Sequence, residues 1–207
     1  MTAHGRRTLR RPPPLMKLPI FAALLAGLVS LGPAAAANAS HGEEMAAACV
    51  ACHGENGNSR TENIPSLAGH PAPYLVIQLI LFREQQRQNE IMTPLAKALS
   101  DEDIENLAAY FAAQKRVATD TSDDPALAAR GKEVAATHRC GTCHLLDYAG
   151  REQMPRLNAQ REDYLLKTMQ DYKAGRRSGL DGMMTSVLHN VTDEQLVELA
   201  AYLSRFP

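Results

Sequence analysis

No stretch of this 207-residue sequence alternates apolar and polar residues with period two for long enough to form a strand. No cysteine stands outside two short motifs, and no acid falls within the first 39 residues. No apolar run reaches the roughly 20 residues that a membrane span needs. Each absence excludes something. Without strands the chain is all-α. Without a spare cysteine, whatever the thiols do is done inside the two motifs. Without a long apolar run, the chain is expected to be at most peripherally associated with a membrane, with an uncleaved N-terminal anchor as the alternative. Nor does any constellation of acid, base and nucleophile stand out, so the sequence carries no sign of acid–base or covalent catalysis.

The acid-free start is informative in its own right. It holds Arg6, Arg7, Arg10, Arg11 and Lys17, then an apolar run from Leu18 to Leu31, then Pro33 and an alanine tract. A basic region, an apolar region and a small-residue cleavage site make a secretory signal, here over residues 1–39, with cleavage after Ala37 or Ala39. The expected location is the periplasm. Once the signal is removed, 17 bases face 23 acids, a net of −6. That balance excludes nucleic acid as a partner, because such a partner selects a basic surface.

What the chain does have is Cys49-Val50-Ala51-Cys52-His53 and, again, Cys140-Gly141-Thr142-Cys143-His144. Residues three and four apart share a helix face. Cys49 and Cys52 can therefore reach the edge of one porphyrin and form two thioethers, while His53 places a nitrogen on the iron; Cys140, Cys143 and His144 repeat the arrangement. Two Cys-x-x-Cys pairs are also compatible with a zinc site, and one alone with a redox dithiol. Zinc does not explain why both pairs run directly into His, and a thioredoxin-like motif wants a preceding strand. The pattern predicts two covalent haem c groups.

The rest of the chain repeats with the motifs. Ile64-Pro65-Ser66-Leu67 aligns with Met154-Pro155-Arg156-Leu157, Tyr74-Leu75 with Tyr164-Leu165, and Phe82-Arg83 with Tyr172-Lys173. Leu107-Ala108-Ala109-Tyr110 aligns with Leu199-Ala200-Ala201-Tyr202, and the offset stays between 90 and 92. The expected organisation is an N-terminal domain at 40–116, a polar, acidic linker at 117–125 and a C-terminal domain at 126–207. Each domain opens with a helix carrying its motif at the end. A second helix follows near 73–86 and 163–174, and a third begins at the capping-box spacings Ser100/Asp103 and Thr192/Gln195. Ile104, Leu107, Ala108 and Phe111, and then Leu196, Leu199, Ala200 and Leu203, form buried stripes. Domains of about 80 residues have marginal cores, so a haem tied at three points acts as a staple.

The repeat also selects sixth ligands. Met92 stands eight residues before Ser100, and Met184 eight before Thr192. His70 aligns with Gln160 and is not a repeated ligand. Met45, Met154 and Met169 read as core filler, and His41, His138 and His189 as surface or core residues. Thioether ligation raises the potential of the iron, as suits an electron carrier. Charge divides unevenly. Residues 40–116 hold ten acids and six bases, a net of −4, whereas residues 125–207 hold ten acids and eleven bases, a net of +1. A dipolar molecule with two different docking ends is expected.

Taken together, the two motifs, Pro65 to Gly69 as Pro-x-Leu-Ala-Gly, Tyr74-Leu75 with Gln78-Leu79, Met92-Thr93-Pro94-Leu95-Ala96 and Leu99 to Ile104 resemble the dihaem cytochromes of the cytochrome c4 family. The resemblance implies two tandem class I cytochrome c domains related by a pseudo-twofold axis, with the haems near the domain interface. It also implies that the carbonyls of Pro65 and Pro155 accept a hydrogen bond from each proximal His. Two departures stand out: Glu84-Gln85-Gln86 follows Phe82-Arg83 where the family carries a Gly, and Met184-Thr185-Ser186 lacks the Thr-Pro that follows Met92. The expected function is single-electron transfer between a quinol-oxidising cytochrome complex and a terminal oxidase. The alternative is the electron-accepting subunit of a periplasmic dehydrogenase, for instance one oxidising a sulfur compound. A dihaem peroxidase or gas sensor needs an open iron, which methionine at both sixth positions opposes.

Overall fold

Asn38 opens the first helix, α1 (Ala39–Ala46), by accepting the backbone N–H groups of Ser40 and His41 at 3.1 and 3.3 Å. In this computed structural model, which describes residues 37–118, 124–177, 180 and 182–206, it is followed by α2 (Val50–His53), α3 (Ala72–Arg83), α4 (Met92–Lys97) and α5 (Asp101–Ala113). The second half runs α6 (Pro125–Thr137), α7 (Gly141–His144), α8 (Glu162–Lys173), α9 (Met183–His189) and α10 (Asp193–Arg205). Almost all of the expected secretory signal and most of the expected linker lie outside the described residues. Among those described, the only bridge of β type joins Arg151 and Met154, and no helix is long and apolar enough to cross a membrane.

The expected caps form reciprocally. Ser100 Oγ accepts the N–H of Asp103 while Asp103 accepts the N–H of Ser100, and Thr192 and Gln195 do the same. The stripes behind them are buried: Ile104, Leu107, Ala108 and Phe111 in α5, and Leu196, Leu199, Ala200 and Leu203 in α10. One expectation needs correction. The motifs do not ride on the ends of the opening helices but occupy separate turns, α2 and α7. Ala48 and Cys49 donate to the carbonyls three residues back, Met45 and Ala46, which tightens and breaks α1. In the second half α6 is ended differently, by the left-handed Arg139 at φ 55°. Two further short helices, α4 and α9, carry the methionines.

Each half is closed by its first helix crossing its last. The crossing is made possible by a glycine in both copies. A Cβ at Gly42 would lie 2.1 Å from the carbonyl oxygen of Asn106, and one at Gly131 would lie 1.9 Å from that of Glu198. Any side chain there forces the helices apart.

The halves meet through residues related by an offset of 90. Gln160 accepts the N–H groups of Ser66 (2.9 Å) and Arg161 (3.0 Å) and donates to the Ser66 carbonyl (2.9 Å). Across the pseudo-twofold axis, His70 Nδ1 accepts the N–H of Arg156 at 3.2 Å. Asp163 accepts the N–H of Asn63 at 2.9 Å and is held by Arg161.

Candidate haem-binding sites

Cys49 precedes the turn α2, and the N–H of His53 bonds back to the Cys49 carbonyl at 2.9 Å. The α7 turn repeats this, with His144 bonding to Cys140 at 3.1 Å. The i, i+3, i+4 relation of Cys, Cys and His is therefore realised within one turn of backbone in each half. None of the four cysteines is in a disulfide, and all four are partly buried. Burial pushes the Cys49 and Cys140 thiols above the usual range.

Both histidines are buried and held in one tautomer. The Nδ1–H of His53 donates to the Pro65 carbonyl at 2.9 Å, and that of His144 to the Pro155 carbonyl at 3.0 Å. Burial lowers both imidazoles below the ordinary histidine value, against the smaller upward pull of those bonds. A neutral ring with Nδ1 occupied leaves Nε2 as the lone-pair donor. His144 Nε2 is buried and has no hydrogen-bond partner among the described residues. An orphaned imidazole nitrogen beside two thiols fits the iron and vinyl groups of a haem, and fits nothing else among the neighbouring residues.

A cavity joins this nitrogen to the candidate ligands. It is lined by Cys140, Cys143, His144, Met154, Met183 and Met184, and extends across the interface to Tyr74 and Gln78 of the first half. Met184 packs against the second core cluster, whereas Met183 is 48% exposed. Gly182, at φ 67°, starts the helix that carries both. In the first half, Met92 opens α4 and is half-buried. Its loop is tied by Asn89, whose Oδ1 accepts the N–H groups of Ile91 (3.0 Å) and Met92 (2.8 Å). Met169 is in the second core and Met45 packs against the first. His41 and His189 are exposed, and His138 is a half-buried part of the cavity wall.

Sequence reasoning set His70 aside as an unrepeated residue and overlooked Arg87 and Arg177. The structure buries His70 in the interface. It also places Arg87 and Arg177, 90 residues apart, as symmetry mates: each guanidinium lies over a ring of its own half, Phe82 at 4.4 Å and Tyr172 at 4.8 Å. The repeat offset that aligned the motifs was the signal that could have found this pair.

Comparison with known proteins agrees with this geometry. The family model for cytochrome c matches residues 39–115 and again 128–206. The chain is 36% identical over 166 residues to a cytochrome c4 of Thiocapsa roseopersicina, covering 75% of this chain and 85% of that protein. It is 32% identical over 173 residues to a thiosulfate dehydrogenase electron acceptor of Thiomonas intermedia, covering 78% and 80%. The crystal structure of reduced recombinant cytochrome c4 from Pseudomonas stutzeri superimposes with a TM-score of 0.76 at 30% identity, covering 83% of this chain and all of that one.

Proposed function

Since the chain belongs to the cytochrome c family, and within it to the dihaem cytochromes c4, we propose that it is a periplasmic electron carrier, taking single electrons from a quinol-oxidising cytochrome complex and delivering them to a terminal oxidase. Two haem c groups are its cofactors, and the one-electron iron couple is the chemistry they supply when bound. The chain's own task is to hold each iron in a fixed ligand field. The observation that carries the reading is the duplicated turn in which Cys-x-x-Cys-His ends in a buried His tied to a proline carbonyl.

In this reading His53 and Met92 ligate one iron, and His144 and Met184 the other. Pro65 and Pro155 orient the imidazoles and raise their basicity. Cys49, Cys52, Cys140 and Cys143 form the thioethers. Exposed apolar side chains adjoin the ligands in both halves: Val50, Ile91 and Leu95 in one, Leu146 and Met183 in the other. Such residues suit brief docking of a redox partner, with the charge difference between the halves favouring different partners at the two ends.

A pyridine haemochrome assay tests this directly. The exported protein is expected to hold two covalent haems, and Cys49→Ala with Cys52→Ala to leave one; an unchanged count ends the reading. Met184→Leu is expected to remove the near-infrared sulfur–iron band of one haem and open it to carbon monoxide, with Met183→Leu nearly silent. The reverse result assigns Met183 instead.

The relative named as a thiosulfate dehydrogenase electron acceptor favours a second reading, in which the donor is a sulfur-oxidising dehydrogenase. Co-purification of the native protein with a flavin- or quinone-cofactor dehydrogenase subunit that reduces it, in place of a quinol-oxidising complex, decides for it.

A further inference from the structure

The carbonyl that fixes each proximal imidazole belongs to a peptide group whose other end reaches across the interface. A peptide group is planar and trans, so its C=O and its N–H point in opposite directions. The Pro65 carbonyl accepts the Nδ1–H of His53 at 2.9 Å. The N–H of that same peptide group, on Ser66, donates to Gln160 Oε1 of the second half at 2.9 Å. The Pro155 carbonyl accepts the Nδ1–H of His144 at 3.0 Å. The N–H of that group, on Arg156, donates to His70 Nδ1 of the first half at 3.2 Å. One arrangement is thus built twice: Pro65 and Pro155, Ser66 and Arg156, and His70 and Gln160 all stand 90 residues apart. Both receiving side chains are buried, Gln160 to 2% exposure and His70 to 4%. They also meet each other, with Gln160 Nε2 at 3.3 Å from His70 Nε2.

A hydrogen bond at one end of a peptide group polarises it and strengthens the bond at the other end, the more so away from water. An acceptor on the Ser66 N–H therefore makes the Pro65 carbonyl a better acceptor for His53. A stronger pull on the Nδ1–H makes Nε2 a better donor to iron, and an electron-rich proximal imidazole favours the ferric state. The same chain of effects runs from His70 through Arg156 and Pro155 to His144.

We propose that Gln160 and His70 are positioning residues for the haem of the opposite half. Gln160 tunes the first haem, attached at Cys49 and Cys52, and His70 tunes the second, attached at Cys140 and Cys143. The proposal rests on His53 and His144 as iron ligands. It goes beyond that reading by making each potential depend on the docking of the halves. A displacement of the interface loosens both relays and moves both potentials. By linkage, a change of oxidation state at either iron alters the grip of the interface.

The test is potentiometric titration of the holoprotein with Gln160→Met and His70→Phe, near-isosteric changes that remove each acceptor. Haem count is read first; a wild-type count other than two overturns the functional reading beneath the proposal. Met92→Leu and Met184→Leu assign the two potentials. Gln160→Met is expected to raise the potential of the first haem by about threefold in its redox equilibrium, about 30 mV for one electron, and to leave the second unmoved. His70→Phe is expected to do the reverse. Gln160→His and His70→Gln, which exchange the two acceptors, are expected to restore most of each shift. A residue that merely holds the halves together would move both potentials alike and give no crossed pattern. That outcome overturns the proposal, as do potentials unmoved in both variants. Wild-type protein gives a measurement that needs no variant. In the reduced, isotopically labelled holoprotein, a scalar coupling is expected between the Arg156 amide nitrogen and His70 Nδ1 across their hydrogen bond. Its absence overturns the proposal.

Discussion

The two halves of the molecule trace nearly the same backbone with different residues at its most demanding points. The residue after each motif histidine is Gly54 at φ 77° and ψ 167° in the first half and Leu145 at φ 68° and ψ 162° in the second. That region is almost reserved for glycine. Three residues further on, Gly57 (φ 73°) is matched by Tyr148 (φ 54°), and each carbonyl accepts the same two N–H groups: Leu67 and Ala68, then Leu157 and Asn158. Gly69 and Ala159 make a third such pair. They donate to the carbonyls of Phe111 and Leu203, which are equivalent positions of α5 and α10.

These exchanges compensate in volume. A Cβ at Gly57 would lie 2.7 Å from the Phe111 ring. In the second half the large residue moves to the other side of the contact: Leu203 stands where Phe111 does, and the Tyr148 ring fills the space, edge-on to Tyr202 and Phe206. The first half keeps glycine at these three turns. The second half accepts left-handed strain and gains a contiguous cluster of eleven buried residues, against six in the first. Its opening helix is also longer, 13 residues against eight. Repetition conserves hydrogen-bond geometry more strictly than side chains, because the backbone groups have no substitute partners.

The comparison is most exposed to haem removal. With Cys49 and Cys52 changed to Ala, the first half is expected to lose amide-exchange protection throughout. With Cys140 and Cys143 changed to Ala, the α6–α10 packing is expected to keep part of its protection. Equal losses would show that the core difference is inconsequential. Next in size, Tyr148→Gly is expected to destabilise the holoprotein by about 3–5 kcal/mol in chemical denaturation, since a lost ring outweighs relieved strain; a gain in stability would invert the account of the second half.

Leu145→Gly works in the opposite direction. It is expected to raise stability by about 1 kcal/mol by releasing backbone strain. Gly54→Leu has no such symmetry, because a Cβ there would lie 2.0 Å from the Asn58 carbonyl oxygen, so that variant is expected to be destabilised. The smallest effect concerns His70 and its counterpart Gln160. Burial, then Arg116 and Arg156, hold the folded His70 well below its unfolded value near 6.5. The unfolded chain therefore binds the extra proton first. Stability is full above about pH 6.5 and declines as pH falls through 6.5 toward the lower folded value. His70→Gln, which makes the halves alike, is expected to flatten part of that decline in thermal denaturation between pH 7 and pH 5; an unaltered slope would place the acid sensitivity elsewhere.

Much of the site was legible because its grammar is local. Cys49, Cys52 and His53 sit within five residues, and the second copy fixes the reading by repetition. The capping boxes at Ser100 and Thr192 and the stripes behind them depend only on helical spacing, so they could be placed without coordinates. The broken opening helices were harder, since the break follows from i−3 bonding at Ala48 and from a left-handed Arg139, neither of which has a strong sequence signature. His70 was read by what it lacked, a matching histidine. Its actual role follows from a main-chain N–H 86 residues away, at Arg156.

By itself, then, the sequence determined a duplicated, all-helical chain with two haem attachment motifs, because each of those properties is written in short-range spacing or composition. Only the tertiary structure decided which imidazole nitrogen is tied to a proline carbonyl and left the other bare. It also decided that Gly42 and Gly131 must yield to a carbonyl from the last helix of their half, and that Arg87, Arg116 and Arg177 converge with no described acid to meet them. Those facts depend on groups far apart along the chain being driven together as apolar surface is buried. Their directions and distances have no counterpart in the order of the residues.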